Sequence, residues 1–384
     1  MKRIISLFLV VVFSFSLFSV SAEDIPMSTK TIAPTTIQND ITAKASVLME
    51  AKTGKILFAK NENEPLPPAS VTKIMTMLLT MEAVDSGKIS LSDTTACSEY
   101  AASMGGSQVY LEPGEIMSVD ELLKAVAVSS GNDAAVMLAE LLQGSESDFV
   151  VAMNNRAKEL NMVSTNFENC TGLPSANHKT SALDIAVMSR ELLKHKTILN
   201  YTSIWMDTLR NGAFGLSNTN RLVRFYNGAN GLKTGSTDEA LYCVSATALR
   251  NNMQLISVIL GGKTSDIRFN EASKQLDYGF AKFEVADFND DTNITPVKVL
   301  KGKANLVEVK AEDSLVEVID KGTIKTITKK IEMANDVKAP VEKGQKLGEL
   351  VILKDNKELR RIPLVAENEI EKATVFSYFK KLLN

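Results

Sequence analysis

The chain is poor in the residues that most enzymes use for nucleophilic and metal chemistry. Its 384 residues include two histidines, three cysteines and one tryptophan. Because the cysteines are odd in number and widely spaced, they do not form a disulfide framework, and we expect Cys97, Cys170 and Cys243 to be small buried side chains. The histidines and cysteines also lack the spacing of a zinc site. We therefore expect neither a metal nor a cofactor.

A Ser-His-Asp triad is poorly supported by what the chain contains. The two histidines are His178 and His195, and there is no G-x-S-x-G motif, which places the serine of many hydrolases on a sharp turn. The formal net charge of −3 gives no electrostatic reason to expect a nucleic acid partner. Serine chemistry in this chain therefore needs a base other than histidine.

The first residues have the pattern of a secretory signal over residues 1–22. Lys2 and Arg3 precede the apolar run Ile4–Val20, and Val20-Ser-Ala22 is a small-residue cleavage site. The alternative is a retained membrane anchor, but the run is short for a span and is diluted by serines. We expect cleavage, a flexible leader over residues 23–43 that is rich in polar residues and proline, and a mature protein secreted across the cytoplasmic membrane.

The rest of the chain predicts two domains and a tail. Two early strands from Ala45 and three late ones up to Leu260 flank a helical region, which predicts an α+β domain over residues 44–288 with one antiparallel sheet flanked by helices. Short β runs predict a small all-β domain over residues 289–366. Residues 367–384 have apolar side chains at helical spacing beside lysines, which predicts an amphipathic helix on a membrane surface or docked on the protein itself.

Three short motifs occur in an order and a local setting that indicate acyl transfer by serine. Ser70-Val-Thr-Lys73 opens a predicted helix, Ser130-Gly-Asn132 lies at a break between two helices, and Lys233-Thr-Gly235 begins a strand. Each motif alone is weak evidence, because S-x-x-K, S-x-N and K-T-G also occur elsewhere in the chain. This is the set that combines the order with a suitable local structure.

The first two motifs supply a nucleophile, a base and a proton donor. Ser70 and Lys73 are three residues apart and share one helix face. A lysine that is neutral because of burial and of a second cation, Lys233, can take the serine proton. Ser130 would then protonate the leaving amine, and Asn132 would bind a substrate amide.

The third motif supplies a binding strand. Lys233 and Thr234 would hold a carboxylate, and Gly235 would leave room for a substrate that pairs with the strand. The N–H group of Ser236, together with that of the nucleophile, would form an oxyanion hole. The structural alternatives are that Ser70 caps a helix and that Lys233 is an ordinary exposed strand residue.

In their sequence context these motifs resemble the low-molecular-mass penicillin-binding proteins of the serine D-alanyl-D-alanine carboxypeptidase family. The resemblance covers essentially the whole mature chain, and it implies a penicillin-binding/β-lactamase-like transpeptidase domain followed by a β-rich domain. The segments that carry it are Pro68–Met75, Ser129–Asp133, Asn169–Leu173, His178–Ala186, Asn220–Leu222, Gly231–Thr237, Arg268–Glu271 and Pro340–Leu350.

The resemblance also implies an activity and further site residues. A member of this family removes the terminal D-alanine from peptidoglycan stem peptides and is trapped by β-lactams. Arg268 becomes a second grip on the substrate carboxylate, the alternative being a surface salt bridge, and Arg221 is a weaker candidate for the same role. His178 and Asp184 resemble residues that support a loop near the site. Ser236 stands where some members carry histidine.

Three other functions are compatible with these residues. A serine β-lactamase needs a loop glutamate for rapid deacylation, and Glu168 lies in that region but lacks the usual E-x-x-L-N setting. A D,D-endopeptidase would cleave cross-links rather than a terminal alanine. A non-catalytic wall-binding protein is disfavoured because every motif residue is present.

Overall fold

The computed structural model describes residues 37–289 and 292–374. The predicted signal peptide, most of the predicted leader, and residues 375–384 of the predicted tail helix lie outside these ranges. No helix within the two ranges has the length and apolar character needed to cross a membrane.

Helices of the described residues surround a central sheet, and several of them begin at polar capping residues. The side chains of Ser145, Ser181 and Thr264 each accept a hydrogen bond from a backbone N–H in the first helical turn, and Ser118 forms a capping box with Glu121. The α-helices are α1 (Lys73–Asp85), α2 (Glu99–Ala102), α3 (Val119–Lys124), α4 (Asn132–Gln143), α5 (Glu146–Glu159), α6 (Ala182–Leu192), α7 (Leu199–Thr202), α8 (Leu222–Phe225) and α9 (Ser265–Lys282).

A five-stranded antiparallel sheet forms the centre of the first domain. Its strands are β1 (Ala45–Glu50), β2 (Ile56–Lys60), β7 (Ala229–Thr237), β8 (Leu241–Arg250) and β9 (Met253–Gly262). Their order is β2-β1-β9-β8-β7, so the two early strands close onto the three late ones, which confirms the predicted topology. Two short antiparallel strand pairs lie outside this sheet: β3 (Thr94–Ala96) with β4 (Ile116–Ser118), and β5 (Met206–Leu209) with β6 (Phe214–Ser217).

Both faces of the central sheet are covered by helices. Helix α6 packs on β1 and β9, while α9 packs on β8 and β9. Val47 belongs to the core that contains α1 and α6, and Leu48 belongs to the core that contains the end of α9. Because successive side chains of a strand point to opposite faces, this alternation along β1 shows that the sheet lies between two helical layers.

The second domain consists of small sheets and begins earlier than residue 289. Its strands are β10 (Phe283–Asp287), β11 (Val297–Leu300), β12 (Leu306–Val307), β13 (Val309–Ala311), β14 (Val316–Asp320), β15 (Ile327–Met333), β16 (Asp336–Lys338), β17 (Lys346–Lys354) and β18 (Lys357–Ala366). Strand β10 follows α9 directly and pairs with β14, so the first β-domain strand precedes the predicted boundary. Two further sheets have the orders β12-β11-β16 and β13-β18-β17-β15.

Two terminal predictions need correction within the described residues. Residues 367–374 are not helical, since Ile370 bridges to Val341 and Lys372 bridges to Gly302. The end of the predicted flexible leader is held in place, because Thr42 donates hydrogen bonds from its N–H and its hydroxyl to the buried carboxylate of Glu271 on α9. In both places, pairing with distant residues outweighs local composition.

Candidate active site

Ser70 lies on a single 3-10 turn, Ala69–Thr72, that leads directly into α1. The preceding residue, Ala69, has a left-handed backbone with φ of 50°, and its carbonyl accepts a hydrogen bond of 2.9 Å from the hydroxyl of Thr72. Prolines before this turn prevent the helix from extending backwards. The serine side chain is half-buried, which leaves its hydroxyl accessible to a substrate.

Lys73 is the first residue of α1 and is completely buried. Its Nζ donates hydrogen bonds to Ser70 Oγ at 3.1 Å, to Asn132 Oδ1 at 2.5 Å and to the Thr171 carbonyl at 2.7 Å. Burial lowers the pKa of Lys73 from 10.5 to about 7, against a smaller opposing effect of Cys170 and Asp133. Near neutral pH a large fraction of Lys73 is therefore uncharged and able to accept a proton.

Lys233 is also buried, and its Nζ donates to the Thr234 carbonyl at 3.0 Å. Burial, followed by the positive charges of Lys73 and Arg268, holds the pKa of Lys233 well below its usual value. The sequence predicted that burial, with Lys233 as a second cation nearby, makes Lys73 neutral. In the structure burial is the main cause at Lys73, and the repulsion between the two amines acts on Lys233. The two amines are thus close enough to influence each other.

Strand β7 presents the third motif directly against the nucleophile turn. A Cβ on Gly235 would lie 2.7 Å from the Ser70 nitrogen and 2.8 Å from the Pro68 carbonyl oxygen. Such contacts are too short for any side chain, so glycine is needed because the backbones of the turn and the strand approach each other closely. The strand is longer than predicted, since it begins at Ala229.

Ser130 occupies the break between α3 and α4. A π-helical turn, Ala125–Ser129, follows α3, and Ser130 then adopts a left-handed conformation with φ of 65°. Its Oγ is buried and has no hydrogen-bond partner among the described residues. A buried unpaired hydroxyl is costly in a folded protein and is typical of functional positions. The hydroxyl is therefore free to exchange a proton with a ligand.

Asn132 links the base to the loop that precedes α3. Its Oδ1 accepts from Lys73, while its Nδ2 donates to the Gly105 carbonyl at 2.6 Å. Its backbone N–H donates to the Ser107 carbonyl at 2.7 Å. The amide group of Asn132 is thereby fixed in one orientation, because its oxygen faces the lysine and its nitrogen faces the loop.

The two predicted arginines have different environments. Arg268 is 8% exposed, and its Nη1 donates to the carbonyls of Gly235 at 3.0 Å and Cys243 at 3.2 Å. The alternative of a surface salt bridge is therefore wrong for Arg268, which instead holds β7 and β8. Arg221 is exposed and pairs with Asp266 at 2.5 Å. It is therefore Arg221, and not Arg268, that forms a surface salt bridge.

Thr234 and Ser236 lie two residues apart on β7, and therefore on the same face, but they differ in exposure. The hydroxyl of Thr234 donates to Thr219 Oγ1 at 2.7 Å and is nearly buried. Ser236 is exposed near the end of the strand. The lysine, threonine and glycine of the motif are thus buried, whereas the side chain of Ser236 remains open to solvent.

Of the two residues predicted to support a loop near the site, His178 belongs to the loop over residues 167–180 and contacts the nucleophile turn, whereas Asp184 lies on α6 and binds the segment before that loop. His178 Nε2 lies 2.7 Å from Thr72 Oγ1, and Asp184 Oδ2 accepts from the Ser164 N–H at 2.9 Å. The carboxylate of Glu168 is exposed and accepts hydrogen bonds from Ser175 and Asn177 within its own loop. Glu168 is thus engaged away from the serine.

Sequence reasoning missed two contributors from this loop. The Thr171 carbonyl binds Lys73, and Gly172, with φ of 86°, lies so close to the nucleophile turn that a Cβ would be 1.9 Å from the Ala69 oxygen. Backbone atoms leave no side-chain signal in a sequence. Gly172 carried a signal in the turn-like segment Thr171-Gly-Leu-Pro174, but its partner could not be read from it.

Comparison with known proteins places this geometry in a family. Residues 30–264 match the family described as D-alanyl-D-alanine carboxypeptidase, and residues 284–372 match the one described as penicillin-binding protein 5, C-terminal domain. Over 346 residues, 89% of each chain, the sequence is 45% identical to the D-alanyl-D-alanine carboxypeptidase DacF of Bacillus subtilis.

Solved structures agree with the sequence relatives. Penicillin binding protein 5 from Haemophilus influenzae matches with a TM-score of 0.77 and 31% identity, covering 89% of this chain and all of that chain. Penicillin-binding protein D2 from Listeria monocytogenes, in its ampicillin-bound form, matches with a TM-score of 0.57 and 33% identity, covering 62% of this chain and 98% of that chain. Since one family spans more than half of the sequence and solved members share its fold, the chain belongs to the D-alanyl-D-alanine carboxypeptidase family of serine peptidases.

Proposed function

We propose that this protein removes the terminal D-alanine from peptidoglycan stem peptides through an acyl-enzyme on Ser70. The observation that carries the proposal is the contact between the Lys73 amine and the Ser70 hydroxyl at 3.1 Å, with burial holding the pKa of the amine at about 7. An uncharged amine at this distance can take the serine proton as the hydroxyl attacks a carbonyl carbon.

Acylation proceeds by proton transfer between residues of the three motifs. The Ser70 oxygen bonds to the carbonyl carbon of the penultimate D-alanine, and Lys73 takes the hydroxyl proton. The backbone N–H groups of Ser70 and Ser236 stabilise the oxyanion. The bond to the terminal D-alanine then breaks, its nitrogen receives a proton from Ser130, and Ser130 is reprotonated by Lys73.

Deacylation uses the same base with a water molecule. Neutral Lys73 takes a proton from the water as its oxygen attacks the ester carbon, and the Ser70 oxygen leaves with a proton. A β-lactam acylates the same serine, but its opened ring stays attached and no small amine departs. The adduct therefore persists, which makes β-lactams inhibitors of this enzyme.

The substrate carboxylate lies beside the cationic end of β7. Lys233 and Thr234 hold it, with Asn132 bound to a substrate amide. Arg268 supports this end of the strand through the Gly235 carbonyl and adds positive charge. Because Lys233 and Arg268 are both buried, their attraction for a carboxylate is screened less than at a surface.

A carboxypeptidase is favoured over a β-lactamase by the environment of Glu168. Hydrogen bonds from Ser175 and Asn177 hold the pKa of this carboxylate below its usual value, so it is a poor proton acceptor. Its side chain is also exposed rather than directed at the serine. Without a second base, water attacks the β-lactam adduct slowly.

The place of action is inferred from the termini. Residues 1–22 carry the pattern of a secretory signal, and stem peptides lie outside the cytoplasmic membrane. The enzyme therefore acts outside the cytoplasmic membrane, and the apolar and basic residues of the tail over residues 367–384 attach it to the outer face of that membrane.

One experiment separates the related activities. The purified enzyme is incubated with a stem pentapeptide, with a cross-linked dimer and with a chromogenic β-lactam, and the Ser70→Ala variant is the matched control. We expect release of a single D-alanine from the pentapeptide, a stable adduct with the β-lactam, and neither product from the variant. Cleavage of the dimer without alanine release would identify an endopeptidase, and rapid β-lactam turnover would identify a β-lactamase.

A further inference from the structure

A line of hydrogen bonds joins the loop over residues 167–180 to the peptide unit just before the nucleophile. The Glu168 N–H donates to His178 Nδ1 at 3.0 Å, and His178 Nε2 lies 2.7 Å from Thr72 Oγ1. The Thr72 hydroxyl donates to the Ala69 carbonyl at 2.9 Å. His178 and Thr72 are both buried, so water does not compete for these bonds.

The direction of each bond follows from the donors available. A backbone N–H can only donate, so Nδ1 of His178 carries no proton. A neutral imidazole then carries its proton on Nε2, which donates to Thr72 Oγ1. The Thr72 hydroxyl donates its own proton to the Ala69 carbonyl, so Thr72 Oγ1 can only accept from His178. Every proton on this line points toward the nucleophile turn, and no alternative tautomer satisfies all three contacts.

The hydrogen bond from the Thr72 hydroxyl to the Ala69 carbonyl controls the orientation of the Ser70 N–H. The carbonyl of Ala69 and the N–H of Ser70 belong to the same planar peptide unit, so fixing one direction fixes the other. The left-handed φ of Ala69, 50°, is unfavourable for a residue with a Cβ and persists only where surrounding contacts hold it. The Thr72 hydroxyl is one such contact.

Resting on the proposed function, we propose that His178 is a positioning residue for the oxyanion hole, acting through Thr72 and the Ala69 carbonyl on the Ser70 N–H. It neither contacts the substrate nor accepts the serine proton. An oxyanion donor contributes only when its N–H is already directed at the developing charge. The histidine therefore affects the acylation step more than the initial binding of a substrate.

The surroundings of the ring keep it in the required neutral form. Burial is the main cause that lowers the pKa of His178 to about 4, and Lys73 acts in the same direction. Glu168 and Glu146 oppose this shift to a smaller extent. The ring of Phe167 packs edge-on against it with centroids 5.8 Å apart. At neutral pH the ring is therefore uncharged and the line of hydrogen bonds is intact.

Two substitutions of His178 separate its two hydrogen bonds. In His178→Gln the terminal amide can reach the Nε2 position and donate to Thr72, whereas in His178→Asn the shorter side chain can only replace the Nδ1 acceptor. We measure the acylation rate constant and the dissociation constant of the preceding complex separately, with a fluorescent penicillin in stopped flow. We expect His178→Asn to lower the rate constant about tenfold with an unchanged dissociation constant, and His178→Gln to stay within about threefold of wild type.

The same link can be tested from its other end. Thr72→Val is nearly isosteric and removes the hydroxyl, so it should lower the acylation rate constant about tenfold, while Thr72→Ser should restore it. In the double variant of His178→Asn and Thr72→Val the two losses should not add, because both break one line. If His178→Asn does not fold, the comparison of Thr72→Val with Thr72→Ser tests the proposal by itself.

The control and the contrary outcomes are well separated. His195→Asn changes the second histidine, which pairs with Asp85 at 2.5 Å on the surface, and should leave acylation unchanged. Wild-type rates in folded His178→Asn and Thr72→Val, additive losses, or an effect confined to the dissociation constant would each overturn the proposal. A wild-type enzyme that is not acylated at Ser70 at all would instead refute the proposed function.

Discussion

Lys73 Nζ lies 3.1 Å from Ser70 Oγ, within hydrogen-bond distance. A lysine can act as the base only if its amine is uncharged near neutral pH. Here complete burial lowers the pKa of Lys73 and provides that condition. The rate of acylation should therefore depend on the protonation state of the Lys73 amine.

Acylation by a β-lactam should accelerate as pH rises through about 7. Below this value Lys73 holds a proton and cannot accept another. Stopped-flow acylation between pH 5 and 9 measures the profile, and the Lys73→Ala variant should be slower by about 10²-fold or more at every pH. A wild-type rate that is flat across pH 7 would show that Lys73 is not the base.

The same burial links pH to stability. The pKa of Lys73 is about 7 in the folded protein and near 10.5 in the unfolded chain. Between these values the unfolded chain binds more protons, so the contribution of Lys73 to the free energy of unfolding rises with pH and then levels off. Urea denaturation of the wild type and of Lys73→Met at pH 7 and 10 should show this increase in the wild type and a smaller one in the variant.

Ser130→Ala should separate activity from stability. The Ser130 hydroxyl is buried without a partner among the described residues, so its removal breaks no hydrogen bond and ends the cost of desolvating it. We expect an unchanged or higher melting temperature and an acylation rate lower by about 10²-fold. A markedly less stable variant would mean that the hydroxyl has a structural partner.

Gly235→Ala should damage both the fold and the site. The new Cβ would lie 2.7 Å from the Ser70 nitrogen, which forces β7 and the nucleophile turn apart. We expect a loss of about 1–3 kcal/mol in the free energy of unfolding and no measurable acylation. Gly215→Ala is the matched control, because its Cβ would meet no atom within 4 Å; equal effects at both positions would contradict the close approach.

The two arginines offer a further matched pair. Arg268 is buried and binds the carbonyls of Gly235 and Cys243, whereas Arg221 is half exposed and pairs with Asp266. Arg268→Ala removes a buried donor from two strand carbonyls and should cost about 2 kcal/mol or more in stability, with a raised KM for peptide substrates. Arg221→Ala should change stability by less than about 1 kcal/mol, and the reverse ranking would exclude this assignment.

The order of the three motifs was enough to predict which residues meet. Ser70 and Lys73 are neighbours on one turn. The predicted closure of early strands onto late ones places Lys233 in the sheet formed with the strands that precede this turn. Helical spacing and strand alternation are properties of the sequence itself, which is why the α+β domain and the paired strands were predicted correctly. The boundaries shifted because tertiary pairing sets them, as at β10.

What could not be predicted depends on backbone atoms and burial. The Thr171 carbonyl and the left-handed Ala69 have no side-chain signature. Burial was predicted as a cause of the lowered pKa of Lys73 and is the main one, but the extent of burial is known only once the helices are packed. Arg268 showed the same difficulty, since its partners are carbonyls of two strands.

Peptide mapping of the β-lactam adduct tests the central claim most directly. The enzyme is labelled with a penicillin, digested, and analysed by mass spectrometry beside the Ser70→Ala and Lys73→Ala variants. We predict one adduct per molecule on the peptide that contains Ser70, no adduct in Ser70→Ala, and greatly slowed labelling in Lys73→Ala. An adduct on a different residue, or full-speed labelling without Lys73, would contradict the account.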